Sequence, residues 1–148
     1  MKLTFHADYA LRVLLFLRVA RERRGTVAEI AKAHNVSRNH LDKVVQRMVG
    51  AGFIRTSKGR GGGVRLERDP TTIIVGDVIR AMEDDLAIVE CLGHARFCRV
   101  AGVCGARNVF AKALEAYFAV LDAATLEDIA TNTDGLRGAL KLIPGGQL

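Results

Sequence analysis

Apolar residues repeat at helical spacing between residues 5 and 24: Tyr9, Leu11, Val13, Leu14, Leu17 and Ala20. That spacing predicts a helix with one buried face. Thr4 stands at the N-cap position. "RERRG" supplies the basic last turn and the glycine that helix C-termini favour. Thr26 with Glu29 reads as a capping box over a short helix, Val27 to His34. "HNVS" is a turn, and His34 is assigned to it rather than to any site. Ser37 then opens "RNHLDKVVQRMVGAG". There Leu41, Val44, Val45 and Met48 form the buried stripe, and Gly50 and Gly52 stop the helix.

Two short helices joined by a tight turn, after a first helix, predict a helix-turn-helix. "FIRTSKGRGGGVRLERD" alternates β-prone residues with a basic, glycine-rich centre, so it predicts a hairpin with strands near 53–57 and 63–67. This is a wing. Beyond Pro70 the pattern predicts a short strand, then a helix from about Val75 to Glu83, then a loop. Val109, Phe110, Ala113, Leu114, Tyr117, Phe118 and Leu121 set a long helix from about Val103 to Ala124. Too much of its surface is apolar for a solitary rod, which predicts packing against its twin in a homodimer. Thr125 with Asp128 caps a last short helix, and the tail after it reads as loosely held. The expected fold is mainly α with a small β wing: a winged helix-turn-helix domain over residues 1–70, a connecting helix and cysteine-bearing loop over 71–105, and a dimerisation helix with C-terminal tail over 106–148.

Charge sharpens this picture. Residues 1–70 carry 15 Lys/Arg against 6 Asp/Glu, or +9, whereas residues 71–148 carry 7 against 10, or −3. A basic lobe with this pattern points to double-stranded DNA. Ser37, Arg38, Asn39 and His40 occupy the first turn of the recognition helix, where side chains reach base edges. Lys43 and Arg47, one and two turns on, are expected at phosphates. In the wing, Lys58, Arg60 and Arg65 surround glycines that let the backbone approach DNA. A dimer would read a two-fold related site. No stretch is long and apolar enough to cross a bilayer, and the N-terminus lacks the order of a signal peptide, so a cytoplasmic location is expected. The chain has no P-loop, no dinucleotide-binding glycine pattern, no HExxH and no nucleophile–base pair, so an enzyme is not expected.

All three cysteines, Cys91, Cys98 and Cys104, lie in "ECLGHARFCRVAGVCG" at C-x6-C-x5-C spacing. In a reducing compartment such a cluster points to metal or redox chemistry rather than to structural disulfides. The C-x2-C pairs of structural zinc sites are absent. Spacing alone leaves three readings open: a metal site, a thiol redox switch, and three ordinary thiols.

The segments "LTFHADYALRVLLFL", "VSRNHLDKVVQRMVGAGFI", "KGRGGGVRL" and "IIVGDVIRAME", with three cysteines ahead of a long helix, resemble the winged-helix iron–sulfur regulators of bacteria. That family contains NsrR, IscR and RirA. The resemblance covers nearly the whole chain, and "SRNHLDKV" and "DYALR" look most like its NsrR branch. It implies an iron–sulfur cluster, 4Fe–4S ahead of 2Fe–2S, held by Cys91, Cys98 and Cys104. It also implies a fourth ligand, Asp8, from the other subunit. His94, between the first two cysteines, and His6 are rival ligands ranked behind Asp8; His6 is one because His6 and Ala7 precede Asp8 where the family stretch commonly reads "FTDYALR". Asp8 could equally serve as a helix N-terminal charge. Arg107 stands where IscR-like members place a histidine. The implied function is a homodimeric DNA-binding repressor that senses nitric oxide through its cluster and releases the operator on nitrosylation. The alternatives are a regulator responding to iron or iron–sulfur status, and a cluster-free thiol redox sensor.

Overall fold

Helix α1 (Phe5–Val19) presents Ala7, Ala10, Val13, Leu14 and Leu17 to the interior, each essentially inaccessible to solvent. Small residues near its start and branched ones further on let neighbouring helices approach closely there. The computed structural model describes residues 3–59, 62–93, 98–100 and 102–142. After α1 come β1 (Arg24–Gly25), α2 (Val27–His34), α3 (Arg38–Gly50), β2 (Ile54–Ser57), β3 (Gly63–Leu66), α4 (Val75–Met82), α5 (Ala106–Asp122), α6 (Leu126–Ile129) and α7 (Thr133–Ala139). Helices α3, α4, α6 and α7 and strand β3 all contact α1. The core continues through Ile30, Leu41, Val44, Met48, Ile54, Val64, Ile79, Met82 and Leu126.

The helix-turn-helix follows its sequence signals. Thr26 and Glu29 form the reciprocal capping box, and Asn35 ends α2 in the left-handed region at φ 52°. The buried stripe of α3 is Leu41, Val44, Val45 and Met48, as its spacing predicts. The wing is an antiparallel sheet in the order β1-β3-β2.

Five expectations need correction. The first helix ends at Val19 rather than at residue 24, because the chain reverses through Glu22 and Arg23, both at positive φ, into a third strand that joins the wing. Gly25 makes that approach possible, since a Cβ there would lie 2.5 Å from Phe16 Cε1. After Pro70 there is no strand: Asp69 caps a 3-10 turn, and Ile74 makes one isolated bridge to Thr125 before α4 begins. The long helix starts at Ala106, not near Val103. The tail is partly ordered: Asn132 caps α7 by accepting from Gly135 N–H, Arg137 Nε donates to the Val19 carbonyl at 3.0 Å, and Leu140 is buried. The start of α1 also departs from side-chain capping. Thr4 makes no such bond, and its N–H donates instead to Glu83 Oε1 at 2.8 Å.

His34 ends α2, half-buried, and its Nε2 has no hydrogen-bond partner among the described residues. Burial is the main cause that holds its pKa below the ordinary histidine value, against a raising backbone hydrogen bond with Arg12. The unfolded chain therefore takes up the proton first as pH falls. The stabilisation is present above the ordinary histidine pKa and is lost as pH falls to the lower folded value. Between about pH 7 and about pH 5, the urea midpoint of the wild type is expected to fall further than that of His34→Gln. Equal falls would contradict this role.

Candidate DNA interface and cysteine loop

The side of α3 opposite its buried stripe is exposed. Ser37, Arg38, Asn39, His40 and Lys43 all lie on it or at its cap. The nearest carboxylate to Arg38 Nε, Asp42 Oδ2, is 3.9 Å away across two exposed side chains, a weak tie. The His40 ring packs 5.3 Å from the Phe5 ring, so the first turn of α3 leans on the start of α1.

Arg47 has different surroundings. Its Nε donates to the Ala81 carbonyl at 2.7 Å, and its Nη2 lies 2.8 Å from Asp84 Oδ1. The guanidinium bridges α3 to the end of α4 and is only one-third exposed. Sequence periodicity placed Arg47 on the polar side of the helix but could not show that α4 crosses there.

In the wing, Lys58 is exposed beside Gly59, which sits at φ +89°. Gly63 adopts φ +143°, and a Cβ on it would lie 2.7 Å from the Gly25 carbonyl oxygen. Any other residue there would strain the turn and push β1 away. Arg65 lies on β3, directly opposite Arg24 on β1 and Arg55 on β2. Neither Arg24 nor Arg55 stood out in the sequence: Arg24 joins the row only through the unpredicted third strand, and Arg55 through the register of the predicted hairpin. Arg60 lies outside the described residues.

Cys91 sits in a 3-10 turn, Glu90–Leu92, while Cys98 is half-buried and Cys104 is exposed just before α5. All three are free thiols. Arg107, in the first turn of α5, donates from Nε to the Cys91 carbonyl at 3.3 Å, which draws the two ends of the loop together. Asp8 lies in the first turn of α1, half-exposed, 2.8 Å from Arg12. His6 packs on Phe5, with ring centroids 4.2 Å apart. His94 lies outside the described residues. Among the described residues, no group of three His, Cys, Asp or Glu side chains is already gathered to hold a metal. The donor chemistry nevertheless fits an iron–sulfur cluster: three unbonded thiols lie close in sequence, and the half-exposed Asp8 carboxylate could leave Arg12 to serve as a harder, weaker ligand.

Helix α5 buries none of its residues within the chain. Val109, Phe110 and Val120 are exposed by 66%, 40% and 71%, which leaves an apolar face uncovered. Its other side is held to α4. Arg80 makes two 2.7 Å hydrogen bonds to Asp122 and lies 4.2 Å from the centre of the Phe118 ring. The Arg80 guanidinium holds the Asp122 carboxyl below the usual carboxylate range. Gly76 leaves room for that carboxylate, since a Cβ would lie 1.9 Å from Asp122 Oδ1.

A helix-turn-helix with an exposed basic first turn and a three-stranded wing defines a winged-helix DNA-binding transcriptional regulator. The chain belongs to the Rrf2 family, described as iron-dependent transcriptional regulators, whose model matches residues 3–132, and it is an NsrR-like member of that family. It is 45% identical over 146 residues to the HTH-type transcriptional regulator NsrR of Bacillus subtilis, covering 96% of this chain and 99% of that one. To the NsrR of Geobacillus kaustophilus it is 43% identical over 143 residues, covering 95% and 97%. Among solved structures it resembles CymR, the global cysteine regulator of B. subtilis, with a TM-score of 0.72, 28% identity and coverage of 89% and 98%. IscR of T. potens shares the fold at a TM-score of 0.72 and 23% identity, covering 99% of this chain and 94% of that one. No helix of the described residues is long and apolar enough to cross a membrane.

Arg47→Ala removes a charge-assisted hydrogen bond at a partly buried site and is expected to cost about 2 kcal/mol of stability. Arg47→Lys keeps the ion pair but not the two-nitrogen reach, so it should fall between. Urea denaturation checks the order, and an Arg47→Ala midpoint equal to the wild type would contradict it.

Proposed function

We propose that this chain is a cytoplasmic homodimeric repressor that senses nitric oxide through an iron–sulfur cluster, 4Fe–4S in preference to 2Fe–2S. Cys91, Cys98 and Cys104 of one subunit would hold the cluster, with Asp8 of a second subunit as the exchangeable fourth ligand. When bound, the group supplies an iron that nitric oxide can attack where the ligand is weakest.

One observation carries this reading. Residues 81–84 lead into the cysteine loop, and they also hold both elements whose placement governs DNA contact. Ala81 and Asp84 hold α3 through Arg47, and Glu83 holds the start of α1 through the Thr4 N–H. A change in the loop therefore reaches α3 through one short joint, while a change at Asp8 reaches it through Phe5 and His40. The uncovered face of α5 supports the second copy that the ligand set requires.

In contact with DNA, Ser37, Arg38, Asn39 and His40 would read base edges, with Lys43 at a phosphate. Lys58, Arg60 and Arg65 would carry the wing along the backbone. Arg47 would hold α3 at the right depth rather than touch phosphate itself, because its guanidinium is already engaged. Two-fold pairing of such lobes makes affinity sensitive to their separation, and small reorientations cost specific binding.

The test compares wild-type and Asp8→Ala protein purified without oxygen. Iron content and absorption are recorded, and then nitric oxide or an iron chelator is added while binding to a duplex selected from random sequence is followed. The wild type is expected to be coloured and to release DNA with nitric oxide, and Asp8→Ala should show an altered spectrum. Release by chelator but not by nitric oxide would favour an iron-status sensor. Colourless, iron-free protein would favour the thiol-switch alternative.

A further inference from the structure

The register of the wing places three arginines side by side. Arg24 pairs with Arg65 across β1 and β3, and Arg65 pairs with Arg55 across β3 and β2. Directly opposed residues share a face of the sheet and stand about 5 Å apart. The next row, Gly25, Val64 and Thr56, belongs to the other face, where Gly25 meets Phe16 and Val64 is buried. The arginine row therefore lies on the outer face.

Like charges directly opposed repel across a sheet, and this row sets three of them side by side. Glu67 lies 3.4 Å from Arg55 across two exposed side chains. Nearby, Arg23 pairs with Asp69 at 3.5 Å, also at the surface. Such pairs are weak and readily exchanged for a stronger anion. The row runs across all three strands of the sheet. It is a line about 10 Å long, set by two strand spacings, and that shape matches a polymer with regularly spaced negative charges. It also lies two residues, about 7 Å, behind the Ser57–Gly63 pair that closes the wing next to Lys58.

We propose that the outer face of the wing sheet is a phosphodiester track, in which Arg24, Arg65 and Arg55 grip the DNA backbone beside the wing tip without reading sequence. The inference rests on the chain's DNA binding and extends its footprint to two residues, Arg24 and Arg55, that neither the recognition helix nor the wing tip includes. The row makes part of the affinity independent of sequence and steeply dependent on salt, while base discrimination stays with α3.

The test is the salt dependence of binding to a random-sequence duplex, from about 50 to about 200 mM salt. It is measured for the wild type, Arg55→Gln and the Arg24→Gln/Arg55→Gln double variant, with circular dichroism and thermal midpoint as controls for folding. Each lost phosphate contact should make the slope of log K against log salt shallower by about 0.9, and the double variant by about 1.8. Folded variants with the wild-type slope would overturn the track. Arg55 lies on an edge strand with a mostly exposed side chain, so the single variant decides the matter should the double variant fail to fold. A wild type without salt-dependent duplex binding would overturn the DNA reading itself, which is a different result from a wild type that binds and variants that match it.

Discussion

The hydrogen bond from Arg47 to the Ala81 carbonyl ties the reading head of this molecule to the rest of it. The inner side of α3 is fixed by apolar packing, which sets its distance from α1. Packing is tolerant of small slides along a helix, whereas a guanidinium held by a carbonyl and a carboxylate is not. The joint at residues 81–84 therefore sets where the exposed first turn of α3 sits. Glu83 holds the Thr4 N–H from the same joint, so α1 and α3 take their positions from one short segment.

The second half of the chain makes sense as a lever on that segment. Helix α5 is held to α4 by Arg80, Asp122 and Phe118, and its first turn reaches back to the Cys91 carbonyl through Arg107. The cysteine loop thus begins at the joint and ends at a helix clamped to α4. On the proposed reading, a cluster bound in this loop tightens both ends, and its loss slackens them. On the same reading, the apolar face that α5 leaves open would take a second copy, which would set two wings and two recognition helices at a fixed separation.

Local signals made much of this legible in the sequence. The capping box at Thr26 and Glu29, the stripe from Leu41 to Met48 and the second box at Thr125 and Asp128 each depend on residues a few positions apart, and each is present in the fold. Long-range events were hidden. The third strand exists because Gly25 can approach Phe16 and pair with Val64, and no periodicity reports that. The order of the tail depends on the bond from Arg137 to Val19, across 118 residues. The site was legible as a set of residue types: a basic first turn, a glycine-rich wing and three clustered thiols. Its wiring was not, because the partners of Arg47, Arg107 and Arg65 become neighbours only once the helices and strands have packed.

One measurement bears most directly on the idea that an inorganic centre in the cysteine loop governs the hold on DNA. A single anaerobic preparation is divided, the inorganic centre is stripped from one half, and both halves are titrated against the same selected duplex at fixed salt. The stripped half should bind far more weakly, with its secondary structure retained. Equal affinity in the two halves would contradict it.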